Sequence, residues 1–126
     1  GNNDILIHKQ QALAYIDSGI LNETLIHEAS HTSLDGRYAG TDGWQAAQQQ
    51  DDLFISNYAR DNPAREDMAE TFLFWFASRS APERVDPALL DTVETGNAAR
   101  FAYFDTLNRD LLPVQDTAPV QDTLFL

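Results

Sequence analysis

Leu21-Asn22-Glu23-Thr24-Leu25-Ile26-His27-Glu28-Ala29-Ser30-His31-Thr32-Ser33-Leu34-Asp35-Gly36 is the stretch on which the reading of this chain turns. Ile20, Leu21, Leu25, Ile26, Ala29 and Leu34 recur at steps of three and four, the spacing that lines one face of a helix. Asp17-Ser18-Gly19 before the run and Asp35-Gly36 after it are turn chemistry, so the pattern predicts an amphipathic helix over about 20–34. Inside it stands His27-Glu28-Ala29-Ser30-His31, an H-E-x-x-H pattern. Four residues advance a helix by about 6 Å and turn it about 40° past a full revolution, so both imidazoles leave the same face and can grip one ion. Glu28, offset by about 100° from His27, stays out of the ligand set yet within reach of a water on that ion, as a general base must be. The plain alternative is a surface helix whose histidines pair with acids. Only three histidines occur in the chain, and two fall into this pattern on a helix with start and stop signals, which favours the metal reading.

Working outward, 126 residues suit one domain, and 43% hydrophobic with 10% aromatic residues supplies a core. With no cysteine, disulfides, thiolate metal sites and cysteine nucleophiles are excluded, and a metal must be held by His, Asp or Glu. Twenty acidic against eight basic residues give a net charge of -12, which argues against nucleic acid and anionic membranes and for neutral or basic partners. The longest apolar run, Phe72 to Ala77, has six residues against the roughly 20 of a transmembrane helix. A chain that begins with Gly1 and has its only methionine at Met68 is expected to lack its natural N-terminus, so a missing leader says nothing of location.

Residues 4–8 are apolar and β-branched and predict a strand, whereas 10–16 suit a strand or a short helix. A glycine-rich loop is expected over 37–43, then a helix over 44–52 whose Gln48-Gln49-Gln50 faces solvent. Asn62-Pro63 predicts the start of a largely buried helix to about 78, carrying Met68, Phe72, Leu73, Trp75 and Phe76. Asp86-Pro87 starts another helix to about 95, and a last one over 98–107 turns Phe101, Phe104 and Leu107 inward. Pro113-Val114-Gln115-Asp116-Thr117 recurs as Pro119-Val120-Gln121-Asp122-Thr123, a low-complexity tail. The expected organisation is a domain over 1–112, which leaves room for sheet strands upstream of Gly1, and a tail over 113–126.

A catalytic zinc takes three protein ligands and keeps a position for water, so a third ligand is needed. Leu34 and Arg37 stand where a metzincin would have glycine and histidine. His8, on the predicted strand, reads better as an ordinary histidine. Glu66 and Glu70 are four apart on the buried helix, so one can bind the ion while the other hydrogen-bonds a ligating histidine. Asp35, four residues after His31, can orient its ring or stop the helix.

Over about residues 20–78 the chain resembles the gluzincins, zinc peptidases that complete H-E-x-x-H with a glutamate on a later helix, and among them the catalytic domain of anthrax lethal factor and similar bacterial peptidases. The resemblance is carried by His27-Glu28-Ala29-Ser30-His31, by Tyr58, and by Glu66-Asp67-Met68-Ala69-Glu70-Thr71-Phe72, an E-x-x-A-E-x-F run. It implies an α+β, zincin-like metallopeptidase domain, mostly helical here with little sheet. It also implies one Zn2+ per chain on His27, His31 and Glu66, Glu70 behind them, and Tyr58 as oxyanion donor, the tyrosine-to-glutamate interval being one residue longer than the family's. Gly40-Thr41-Asp42-Gly43 resembles the aspzincin ligand region, making Asp42 a rival third ligand, although the tyrosine-glycine that should follow is absent.

The expected function is zinc-dependent hydrolysis of peptide bonds in a peptide or protein substrate, Glu28 acting as general base on a metal-activated water. The alternative is a zincin-shaped, non-catalytic binding module with a structural or vestigial metal site. Acidic, lysine-poor and cysteine-free composition suits an exported or cell-surface bacterial protein, with a cytoplasmic one left open. Oligomeric state is not legible.

Overall fold

The computed structural model describes residues 5, 6 and 8–107, and every regular element among them is helical. The chain runs α1 (Lys9–Ser18), α2 (Leu21–Ser30), a π-helical segment (His31–Ala39), α3 (Asp42–Gln50), α4 (Asn57–Asp61), α5 (Asp67–Ser80), a 3-10 turn (Pro82–Arg84), α6 (Pro87–Gly96) and α7 (Ala98–Thr106). The mostly helical expectation holds, and the segment 10–16 left open between strand and helix is helical. Of the predicted strand over 4–8, the described residues Ile5, Leu6 and His8 belong to no strand, and His8 O accepts from Ala12 N as the residue before α1. Asp4, Ile7 and the repeated tail lie outside the described residues.

α5 is the axis of the packing, touching α2, the π segment, α4, α6 and α7. Its Met68, Phe72 and Trp75 are buried with Leu34, Trp44, Val93, Phe101 and Phe104. Phe104 is the hub, with ring centroids 5.2 Å from Trp44 and 5.6 Å from Phe72 and from Trp75, the spacing of offset and tilted aromatic pairs. Leu73, Phe76 and Leu107 are only half-buried. Asp86 caps α6 as predicted, accepting from Leu89 N at 2.9 Å.

Two boundaries and the setting of one glutamine differ from the sequence reading. Asp35-Gly36 does not stop the first long helix, because the Asp35 carboxylate is taken by the His31 ring and not by backbone, and the chain continues in the wider π form to Ala39. Asn62 does not cap α5: its amide donates to Tyr58 O at 3.1 Å and closes α4 instead. One turn, in which Asn62 O accepts from Glu66 N at 2.9 Å, then leads into α5 at Asp67. Gln48 is not solvated surface either; it donates to Pro63 O at 3.1 Å and to the Asp67 carboxylate at 2.8 Å.

Candidate metal centre

The end of α2 presents His27, the first π residue presents His31, and the turn before α5 presents Glu66. His31 Nε2 lies 3.1 Å from His27 Nε2 and 3.2 Å from Glu66 Oε2, and His27 Nε2 lies 3.4 Å from the same oxygen. A tetrahedral ion with bonds of about 2.0–2.1 Å separates its ligand atoms by about 3.3–3.4 Å, so the three donors stand close to a face of that tetrahedron. They form a group that can hold a metal ion.

The chemistry of the donors agrees with the spacing. Asp35 Oδ2 is 2.7 Å from His31 Nδ1. A carboxylate only accepts, so Nδ1 carries the proton, and Nε2 of the neutral ring turns a lone pair toward His27 and Glu66. Glu66 is only 7% exposed, and a buried carboxylate facing other acceptors is costly unless a cation joins them. Burial lowers the pKa of His31, but the hydrogen bond and charge of Asp35, with the charges of Glu66 and Glu28, outweigh it and raise the ring above 6.5. The field at this point therefore favours positive charge.

These residues line an open cleft of about 520 Å³ with Glu28, Asp35, Tyr58 and Arg65. Glu28 is exposed to it, beside the two histidines. The Tyr58 phenol is raised above 10.0 by the hydrogen bond and charge of Glu66, so it stays a proton donor near the site. Glu70 does not reach a ligating histidine. It lies in the first turn of α5 and engages Ser56 Oγ, the hydroxyl that also caps α4 by accepting from Ala59 N at 2.9 Å. The pair thus tethers the helix that carries Tyr58. His8 and Asp42 are exposed and do not line the cleft.

Directly behind Glu66, Asp67 turns the other way into a buried charge network that composition alone does not reveal. Arg100 Nε donates to Asp67 Oδ2 at 2.9 Å and Nη1 to Asp51 Oδ2 at 3.0 Å, with all three side chains buried. Asp51 also accepts from Ala99 N at 2.7 Å and Arg100 N at 2.9 Å, so it caps α7 as it pairs. The only signals in the sequence were acids at 51 and 67 and an arginine inside an aromatic helix. No protein-family model, no curated protein and no solved structure matches this chain.

Proposed function

We propose that the chain is a zinc-dependent peptidase, with His27, His31 and Glu66 holding one Zn2+. The carrying observation is that two imidazole nitrogens and a carboxylate oxygen converge at 3.1–3.4 Å with no arginine or lysine among them. Two imidazoles and a carboxylate suit zinc better than the oxygen-preferring Mg2+ or Ca2+. When bound, zinc supplies a Lewis acid that acidifies water and polarises a carbonyl. Glu28, exposed in the cleft next to His27, takes the proton of the attacking water and returns it to the leaving amine. Tyr58, kept protonated, donates to the carbonyl oxygen as negative charge develops on it. Asp35 fixes the His31 tautomer that ligation requires.

Elemental mass spectrometry of the purified chain tests the site: about one zinc per chain, lost in Glu66→Ala, is expected. Glu28→Gln should keep the zinc and lose turnover of peptide mixtures; loss of zinc with that change would make Glu28 a ligand and break the role assignment. A second reading, a module that binds zinc without catalysis, draws support from Ile5, Leu6 and His8, which form no strand along which a substrate would be aligned. Stoichiometric zinc with no cleavage of any peptide mixture would favour it.

A further inference from the structure

Of the residues lining the cleft, Glu28, Asp35 and Glu66 are acids, and beside them and the two histidines Arg65 is the one arginine. Among the described residues Arg60 pairs with Asp61, Arg79 with Glu94 and Asp105, and Arg100 with Asp51 and Asp67, whereas Arg37 and Arg84 pair with no carboxylate but do not line the cleft. The Arg65 guanidinium is exposed, and no hydrogen bond or ion pair of its side chain occurs among the described residues. Its backbone is well fixed, since Arg65 N and Glu66 N both donate to Asn62 O, at 3.0 and 2.9 Å. The side chain therefore leaves the turn one residue before the third metal donor, near enough to Tyr58 for its charge to act on the phenol.

A guanidinium presents a planar fork that matches a carboxylate, and such charge-assisted pairs are the strong ones. The net charge of -12 repels strongly acidic partners at long range, so the match is to a single carboxylate at short range. We infer that Arg65 makes the cleft selective for peptides carrying one carboxylate beside the bond to be cleaved. This rests on the peptidase reading. Two sources offer that group: the C-terminal carboxylate of a short peptide, or an aspartate or glutamate side chain within an otherwise neutral or basic one.

The test uses three matched peptides on the zinc-loaded full chain: a neutral peptide amide, the same sequence as the free acid, and an amide with one internal glutamate. Binding is measured by calorimetry on the Glu28→Gln protein, and KM and kcat on the wild type. One carboxylate peptide is expected to bind about tenfold or more tighter than the neutral amide, and which one identifies the source. Arg65→Ala should bring all three within about twofold while zinc content stays unchanged, and Arg65→Lys should restore part of the preference. Equal binding of all three by the wild type, or a preference that survives Arg65→Ala, overturns the inference. A wild type that holds no zinc overturns the peptidase reading instead, and the inference with it.

Discussion

Glu66 and Asp67 are adjacent carboxylates, both buried, at 7% and 0% exposure, and the fold gives them opposite company. Asp67 meets Arg100 at 2.9 Å, accepts from Gln48 at 2.8 Å, and closes a network whose positive charge is built in. Glu66 meets two imidazole nitrogens and the Tyr58 phenol, and among the described residues no arginine or lysine is paired to it. A buried carboxylate needs a counter-charge wherever it sits. Where the chain supplies it, the charge welds elements together. Where the chain supplies imidazole nitrogens and a neutral phenol but no arginine or lysine among the described residues, the missing charge is what the site is shaped to receive. A buried acid is thus read by what its partners leave unpaid.

The contrast breaks first, and by the largest amount, at Arg100. Arg100→Met leaves the buried Asp67 and Asp51 without their guanidinium while the backbone cap of α7 by Asp51 persists, and is expected to cost about 3–5 kcal/mol in urea unfolding. A loss below about 1 kcal/mol would mean that the network is relaxed by solvent and that the distinction from Glu66 is not one of internal charge.

Glu66→Gln should do the reverse. Without metal it removes a buried negative charge and keeps an acceptor for the Tyr58 phenol, so stability should be unchanged or higher, whereas Asp67→Asn lowers it. With zinc at roughly a hundred times its dissociation constant the wild type should gain about 2.7 kcal/mol, and Glu66→Gln almost none of that. Thermal melts with and without added zinc read both effects. A metal-free Glu66→Gln protein that melts well below the wild type would place Glu66 in the same structural class as Asp67.

Half of this comparison was legible in the sequence. His27, Glu28, His31 and Asp35 lie within nine consecutive residues, and helical spacing alone brings the two rings together. Glu66 lies 35 residues from His31, and it was reached through the resemblance together with its helical partner Glu70. The resemblance placed Glu70 behind the ligands, but the late start of α5 turns it to Ser56 instead. Asn62-Pro63 misled because a good capping side chain can serve the helix it ends as well as the one it begins. The Arg100 network joins positions 33 and 49 residues apart, and no local period encodes such a pairing. The π register after His31 was missed for a related reason: what overrides the Asp35-Gly36 stop is a side-chain bond that only the folded helix can make.

Asp35 sharpens the comparison at intermediate size, since it acts on the metal through His31. Its Oδ1 is buried without a partner while Oδ2 holds the ring, so Asp35→Asn keeps the volume and weakens the constraint on the tautomer. Zinc affinity measured against a chelator is expected to fall roughly 10–100-fold, with little change in metal-free stability. An unchanged affinity would show that the ring is oriented by packing alone.

The smallest effect belongs to a third carboxylate, Asp105, which has an internal cation like Asp67 but stands at the surface. It accepts from Arg79 Nε at 2.9 Å and Nη2 at 2.8 Å and from Trp75 Nε1 at 2.8 Å, joining α5 to α7. The Arg79 hydrogen bonds hold its pKa below 3.8 against the opposing effect of burial, with the Trp75 donor adding to them. A depressed folded pKa means stability that is present above the unfolded value of 3.8 and lost as pH falls through it toward the folded one. Asp105→Asn keeps an acceptor for Trp75 and removes only the charge. Because both partners are more than a third exposed, the loss at neutral pH is expected to be only about 0.2–1 kcal/mol. Unfolding midpoints of wild type and variant should then converge on acidification below 3.8, and the gap should shrink in high salt. A gap that persists at low pH would mean that Asp105 acts through packing and not through charge, and that counter-charge alone does not separate the three acids.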